Sequence, residues 1–384
     1  MPARGGLLVI EPMPRDITGF GPDTVVLGVP FTRRVVEAAS RAGFGRTVVL
    51  ADDAAAIRRA LDGTKATVLA AGEPVPAGGQ SRSVVLAGNI LPNQRWLRGL
   101  LERPIEAGAT EFETGVVTVS EAACAASSNR APEGRECRIA DRGAFVVTPG
   151  TTKSEVDRHV LADLVKSTDG FMARHFARPI SLALTRRLAA TGISPNAMTV
   201  ISVLIGLLAA PFFLSSAPEI QIVGGLLFVL HSIVDGCDGE LARLRFAESR
   251  FGGLLDYWGD NLVHVAIFSC MAAGLSNDLG ASWPLLAGAA AVAGTLASAG
   301  FVFWRTMRTK KGPGPVFTSV AGPTKTRLIE FADALARRDF IYLVAILSAF
   351  GMASWFLVMT AVGAPLFFII LLVIARGEAR NGSH

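Results

Sequence analysis

Residues 235–260 read DGCDGELARLRFAESRFGGLLDYWGD. Four aspartates, Asp235, Asp238, Asp256 and Asp260, stand here between two long apolar runs. The first two are three residues apart and the last two are four apart, so on helices each pair projects from one face and converges on a common point. An ionised carboxylate at the centre of a membrane helix costs about 2.5–3.5 kcal/mol on insertion scales, and four cost on the order of 10 kcal/mol. The acids therefore lie at the membrane–water boundary, or cations neutralise them, or both. Carboxylate oxygens are hard ligands suited to Mg²⁺ or Mn²⁺, and Mg²⁺ commonly works together with substrate phosphates. Two helix ends with two acids each suit a pair of ions about 3.5–4 Å apart, the arrangement that serves in-line phosphoryl chemistry. Gly239 and Ala242 leave room for a bulky ligand near the backbone. Arg243 supplies a fork of donors for a phosphate. The bland alternative is a helix pair at a membrane edge with its acids in solvated loops. Acids, glycines and an arginine in this register argue against it.

The string D-x-x-D-G-x-x-A-R-x8-G-x3-D-x3-D resembles the signature of the CDP-alcohol phosphotransferase family of integral membrane enzymes. It is filled here by Asp235, Asp238, Gly239, Ala242, Arg243, Gly252, Asp256 and Asp260, and the resemblance runs over roughly residues 165–376. It implies six membrane helices, a homodimer, and transfer of a substituted phosphate group from a CDP-alcohol donor to an acceptor alcohol with release of CMP. It further implies that Asp235, Asp238 and Asp256 hold two divalent ions, with Asp256 bridging them. Asp260 becomes the general base and a further candidate ligand. Gly239, Ala242 and Gly252 would line the nucleotide slot, and Arg243 would meet a donor phosphate. Arg174, Arg178 and Arg308 are the candidates for binding the acceptor.

The 384-residue chain is long enough for two or more domains, and its apolar fraction of 51% is concentrated in the second half. A net charge of +5 raises the question of nucleic acid. The basic residues flank apolar runs without interleaved aromatics, which points to lipid headgroups and not to nucleic acid. Cys124, Cys137, Cys237 and Cys270 lack CxxC spacing and read as reduced thiols. The opening MPARGGLLVIEPMPRD has too short an apolar run for a signal peptide.

Residues 1–150 read as a soluble, Rossmann-like α/β domain. The expected strands are LLVIEP (7–12), TVVLGVP (24–30), RTVVLAD (46–52), ATVLAA (66–71) and SVVLAG (83–88). They alternate with helices over 31–43, 54–63 and 93–102, which implies a mostly parallel sheet covered on both faces. The segment GVPFTRRVVEAASRAGFGRTVVLADD resembles the middle of a sugar-phosphate nucleotidyltransferase domain. Such domains carry a G-x-G-T-R loop after the first strand. Here Glu11-Pro12-Met13-Pro14-Arg15-Asp16 stands there, with two prolines that lack N–H donors. Asn89 stands near the place of a metal-binding aspartate. The domain therefore reads as a degenerate nucleotidyltransferase relative, and an unrelated Rossmann-like regulatory domain is the alternative.

Residues 151–196 form a connecting segment. Thr152 and Glu155 make a capping box, and the stretch with Arg174, Arg178, Arg186 and Arg187 fits a helix lying in the membrane interface. Lys166, Asp169, Gly170 and Arg178 to Ser181 are similar to fusions in which a cytidylyltransferase domain precedes an inositol-phosphate-using phosphotransferase. Ser194-Pro195-Asn196 resembles the family's lead-in to its first membrane helix. Spans are expected near 197–215, 219–241, 253–275, 283–304, 340–356 and 358–376, followed by a tail over 377–384. The loops on one side of these spans carry many Lys and Arg, and the opposite loops carry none. The positive-inside rule then puts both termini and the aspartates on the cytoplasmic side of the cell (inner) membrane. His231 and His264, one turn before Asp235 and one after Asp260, read as packing histidines.

Three functions fit these residues: CDP-alcohol transfer to a polar acceptor of the inositol-phosphate type, phospholipid synthesis from CDP-diacylglycerol, and cation binding or transport. Transport sites favour acids at mid-bilayer on broken helices, and the charge pattern places these at the boundary.

Overall fold

A computed structural model of the chain describes residues 5–17, 19–76, 82–106, 109–120, 135–136, 143–165, 170–307 and 340–381. Arg308, Lys166, Asp169, Cys124 and Cys137 lie outside the described residues. The chain divides into two compact units, Met1–Asp163 and Leu164–His384.

The first unit is built on a seven-stranded sheet. Its strands are β1 (Leu7–Ile10), β4 (Arg46–Ala51), β5 (Thr67–Ala70), β6 (Ser83–Leu86), β8 (Thr110–Glu113), β9 (Val117–Ser120) and β10 (Arg135–Glu136), in the order β10-β8-β9-β6-β1-β4-β5. β1 pairs in parallel with both β4 and β6, as a buried apolar run with crossover helices should. β9 runs antiparallel to β6 and to β8. The crossover helices are α1 (Phe31–Ala42), α2 (Ala54–Ala60) and α3 (Gln94–Glu102), each within a few residues of the expected span. Asp53 and Asn93 cap the last two through their side chains.

One expected strand is absent from this sheet. Residues 24–30 instead form a separate hairpin of β2 (Val25–Val26) and β3 (Val29–Pro30). Leu27 and Gly28 adopt φ of 47° and 81° between them. Two successive left-handed residues reverse the chain tightly, so this apolar run folds on itself. β7 (Ile90–Pro92) and β11 (Ala144–Val146) make a further antiparallel pair.

α4 (Lys153–Asp163), read above as part of the connecting segment, packs within the first unit. Val156 is fully buried, and Asp157 is buried where its charge opposes the fall of the Arg34 pKa, which burial lowers to about 10. The capping box forms as expected: Glu155 Oε2 accepts from Thr152 N at 2.7 Å and Thr152 Oγ1 at 2.8 Å. That hydrogen bonding holds the Glu155 carboxyl below its ordinary pKa.

The second unit is helical and membrane-embedded. A π turn over Ala173–Ala177 leads into α5 (Arg178–Leu188). Phe171, Phe176 and Ile180 are exposed there beside Arg174, as suits a membrane interface. α6 (Pro195–Ala209), α7 (Pro218–Leu244), α8 (Arg250–Leu279), α9 (Trp283–Val302), α10 (Phe340–Ala349) and α11 (Ala353–Asn381) follow. Among the described residues, five segments are long and apolar enough to cross a membrane: Pro195–Leu214, Pro218–Leu244, Arg250–Leu279, Trp283–Arg305 and Ala353–Gly377. α10 is apolar but short. The last apolar run breaks at 350–352, earlier than the expected division near residue 357. Gly351 takes φ of 69° there, a conformation glycine adopts without penalty.

The core packs Phe213, Phe228, Ile267, Phe268, Met271 and Leu357, all buried, near one another. α9 meets α11 closely: a Cβ on Gly294 would lie 2.6 Å from Pro365 N. Such backbone contact is how apolar helices gain van der Waals contact in lipid.

Candidate active site at the ends of two membrane helices

The site forms where α7 ends and α8 begins. α7 stops at Leu244, and Phe246 takes a left-handed φ of 56°. The Ala247 N–H then returns to Ala242 O at 2.8 Å, satisfying a carbonyl at the helix end. Ser249 caps α8 by accepting from Gly252 N at 3.0 Å. This short reversal sets the last turns of α7 beside the first turns of α8.

Three of the four aspartates converge. One carboxylate oxygen from each of Asp235, Asp238 and Asp256 lies within 4.8 Å of the others, with Asp235 and Asp238 buried. At an effective dielectric constant of about 20, each ionised pair at such a distance repels by roughly 3 kcal/mol, and three pairs by about 10. That is comparable to the whole net stability of a domain, so the trio is suited to holding a cation. An all-carboxylate donor set fits Mg²⁺ or Mn²⁺.

Asp260 is not one of this trio. It is buried one turn further along α8, and its Oδ1 lies 3.6 Å from His231 Nε2. The His231 ring is fixed by its other nitrogen: Nδ1–H donates to Ser202 O at 2.8 Å. His231 thus adjoins the site and does more than pack. His264 does pack, its ring 5.3 Å from Phe340 and 6.0 Å from Phe228.

The signature's small residues make room for specific neighbours. A Cβ on Gly252 would lie 2.7 Å from Asn196 Oδ1, and one on Gly239 would lie 3.2 Å from Arg243 Nη1. Ala242 is partly buried on the same face of α7. Arg243 Nη2 reaches the Leu164 carbonyl at 3.5 Å. Arg174 is exposed, while Arg178 is bound by Glu240 through a 2.6 Å contact.

A sequence model of the CDP-alcohol phosphatidyltransferase family matches residues 192–362. The archaetidylinositol phosphate synthase of Pyrococcus horikoshii is 32% identical over 166 residues, which span 42% of this chain and 81% of that protein. The chain belongs to the CDP-alcohol phosphatidyltransferase family. It is also 37% identical over 122 residues to the bifunctional IPC transferase and DIPP synthase of Thermococcus kodakarensis, covering 32% of this chain and 27% of that protein. The enzyme so named from Rubrobacter xylanophilus is 40% identical over 140 residues, covering 36% and 31%. The matched segments thus span about a third or less of these bifunctional relatives' length.

Several neighbours of the family signature were not singled out in the sequence. Thr199 on α6 is buried and donates its hydroxyl to Asp238 Oδ2. A hydroxyl donor behind a metal-ligating carboxylate fixes its orientation. Arg245, just past α7, gives its guanidinium to four backbone carbonyls: Ile193 at 2.5 Å, Thr191 at 2.6 Å, Leu188 at 2.9 Å and Ala189 at 3.3 Å. Glu240 is sealed inside the unit. The insertion-cost argument that marks the four aspartates applies equally to this fifth acid, and that signal would have found it.

Proposed function

We propose that the chain transfers a substituted phosphate group from a CDP-alcohol to the hydroxyl of an acceptor alcohol, releasing CMP. The convergence of Asp235, Asp238 and Asp256 within 4.8 Å is the observation that carries this reading, and family membership supports it. In the proposed reaction the acceptor oxygen bonds to the β-phosphorus as the bond from that phosphorus to the CMP oxygen breaks. The hydroxyl proton passes to Asp260. Asp235, Asp238 and Asp256 would hold divalent ions, which would supply the charge that a diphosphate and its leaving group need. Asp260 suits a base better than a ligand because it stands outside the trio and beside His231. Gly239, Ala242 and Gly252 offer a slot for the nucleotide, and Arg243 offers donors to a donor phosphate.

The names of the relatives favour an acceptor of the inositol-phosphate type, for which Arg174 and Arg178 are the described candidates. A lipid donor, CDP-diacylglycerol, is the second reading, because the site opens from helices that lie in a membrane. The distribution of Lys and Arg supports a cytoplasm-facing site in the cell membrane with both termini inside, and we take the enzyme to act as a homodimer. We take the first unit to be a nucleotidyltransferase relative without that activity. Its Asn89 donates from Nδ2 to Val147 O at 2.8 Å, and a Cβ on Gly88 would lie 2.3 Å from Glu11 O, so backbone occupies the space beside the first strand.

The test is CMP release by the purified protein from CDP-activated donors with candidate alcohols, with and without Mg²⁺, and mass spectrometry of the products. Metal-dependent CMP release is expected, and extraction of the product into organic solvent distinguishes a lipid donor from a polar one. Full turnover in excess chelator overturns the reading.

A further inference from the structure

Besides Asp260, a second described buried carboxylate of the helical unit takes no part in the aspartate trio. Glu240 on α7 has no exposed side-chain surface, and its oxygens accept three hydrogen bonds from α5. Arg178 Nη1 at 2.6 Å and Ser181 Oγ at 2.7 Å donate to Oε1, and Thr185 Oγ1 at 2.7 Å donates to Oε2. Residues 178, 181 and 185 form one stripe of a helix, so the face of α5 toward α7 is organised on this carboxylate.

As an attachment alone, the pair is poorly chosen. Buried ion pairs hold elements together no better than apolar side chains of similar size. Apolar contacts are also already present, with Leu184 and Leu188 packed against a cluster of Val234, Cys237 and Leu241. What an ion pair adds is a fixed place for a guanidinium. Arg178 keeps 14% of its side chain exposed where Glu240 keeps none, so its charge is held at an edge. Its Nη1 lies over Gly236, where a Cβ would be 3.2 Å away. Arg243 Nη1 lies over Gly239 at the same 3.2 Å. With about 100° per residue, Gly239, Arg243 and Gly236 follow Asp235 at roughly 40°, 80° and 100° around α7. Two glycines therefore leave the backbone open beside the metal-ligand face, and a guanidinium lies over each. Planar guanidiniums at a site that handles diphosphates recognise phosphate oxygens.

We propose that Glu240 is a positioning residue: it holds the Arg178 guanidinium over Gly236 so that, with Arg243, it binds a phosphate oxyanion of a substrate at the aspartate site. The inference rests on the CDP-alcohol reading. The oxyanion belongs either to the donor's diphosphate or to a phosphate on the acceptor.

The experiment uses the full chain in detergent with Mg²⁺ and measures CMP release from CDP-diacylglycerol, with myo-inositol 1-phosphate and myo-inositol as acceptors. Pyrophosphate binding is measured by calorimetry on the same samples. Glu240→Gln keeps the shape and removes the charge that pins Arg178. It should raise the KM of one substrate about tenfold, as expected for a displaced charge-assisted hydrogen bond, with kcat little changed. Arg178→Ala should raise the same KM, and Glu240→Gln added to it should have no further effect, because Glu240 acts through Arg178. A rise in donor KM together with weaker pyrophosphate binding assigns the oxyanion to the donor. A rise confined to myo-inositol 1-phosphate, absent for myo-inositol, assigns it to the acceptor. Gly236→Ala guards against misfolding, since alanine favours the helix, and its Cβ should crowd the guanidinium and raise that KM as well. Additive effects of Glu240→Gln and Arg178→Ala, a fall in kcat with both KM values unchanged, or an unaltered KM in Gly236→Ala would overturn the proposal. If the wild type binds pyrophosphate more tightly than Arg178→Ala and Glu240→Gln yet releases no CMP, the lipid-donor reading falls and the oxyanion site stands.

Discussion

The two units use polar residues at their element ends in opposite ways. At the ends of β1 and β6 they are absorbed by the fold. The Asn89 amide donates to Val147 O, and Gly88 lets the Glu11–Pro12 backbone lie directly against it. At the junction of α7 and α8, three carboxylates are brought together against their own repulsion. A polar group that satisfies a backbone carbonyl lowers the energy of the chain by itself. Three carboxylates within 4.8 Å of one another do not, and they suit a bound cation. The difference separates a place that holds structure from a place that awaits chemistry.

The comparison breaks most sharply at Asp256. Asp256→Asn should reduce CMP release to the detection limit while the protein still extracts and elutes as the wild type does, because the trio loses a charged ligand. Retained turnover would mean that the trio is structural, like Asn89. Asp260→Asn should lower kcat by about 10²–10⁴-fold with donor KM little changed, since an amide cannot take the hydroxyl proton. A sharply raised metal requirement would instead make Asp260 a ligand. Thr199→Val removes the hydroxyl behind Asp238 and should weaken the apparent affinity for Mg²⁺ by about 10–100-fold, read from the metal dependence of CMP release. On the other side, Asn89→Asp restores an acid but removes the donor to Val147 O. It should lower the stability of the α/β unit by about 1–3 kcal/mol, seen as an earlier thermal transition. It should release no pyrophosphate from CTP with an inositol phosphate. Pyrophosphate release by the variant would show that a single substitution silenced this unit.

The helical site was legible because its chemistry is written in near-neighbours. Residues three apart share a helix face, so Asp235 and Asp238 declare their convergence, whereas Asp260, one turn beyond Asp256, stands outside the trio beside His231. The meeting of that first pair with Asp256 needed the fold. Glu240 carries the same insertion cost as the aspartates, but its partners come from α5, about 60 residues earlier in the chain, and no local spacing announces them. Asn89 was recognisable as a missing acid, but its own task depends on Val147, which lies across the pairing of β7 with β11. The hairpin at 24–30 reads as a single strand because a leucine at positive φ leaves no mark in composition. The break at 350–352 leaves little trace in the sequence because a lone glycine in an apolar run does not by itself divide two helices.

Arg245 has a consequence for the length of the chain around it. The connection from α5 to α6 is short and superficial, the kind of segment that ordinarily accepts an extra residue. Here three of its carbonyls, with that of Leu188 at the end of α5, converge on one guanidinium just past α7. An inserted residue would change which carbonyls that guanidinium reaches and would shift the whole of α5 along α7. The connection works as a gauge: its residue count sets where the amphipathic helix stops and how far Arg178 stands from the aspartates.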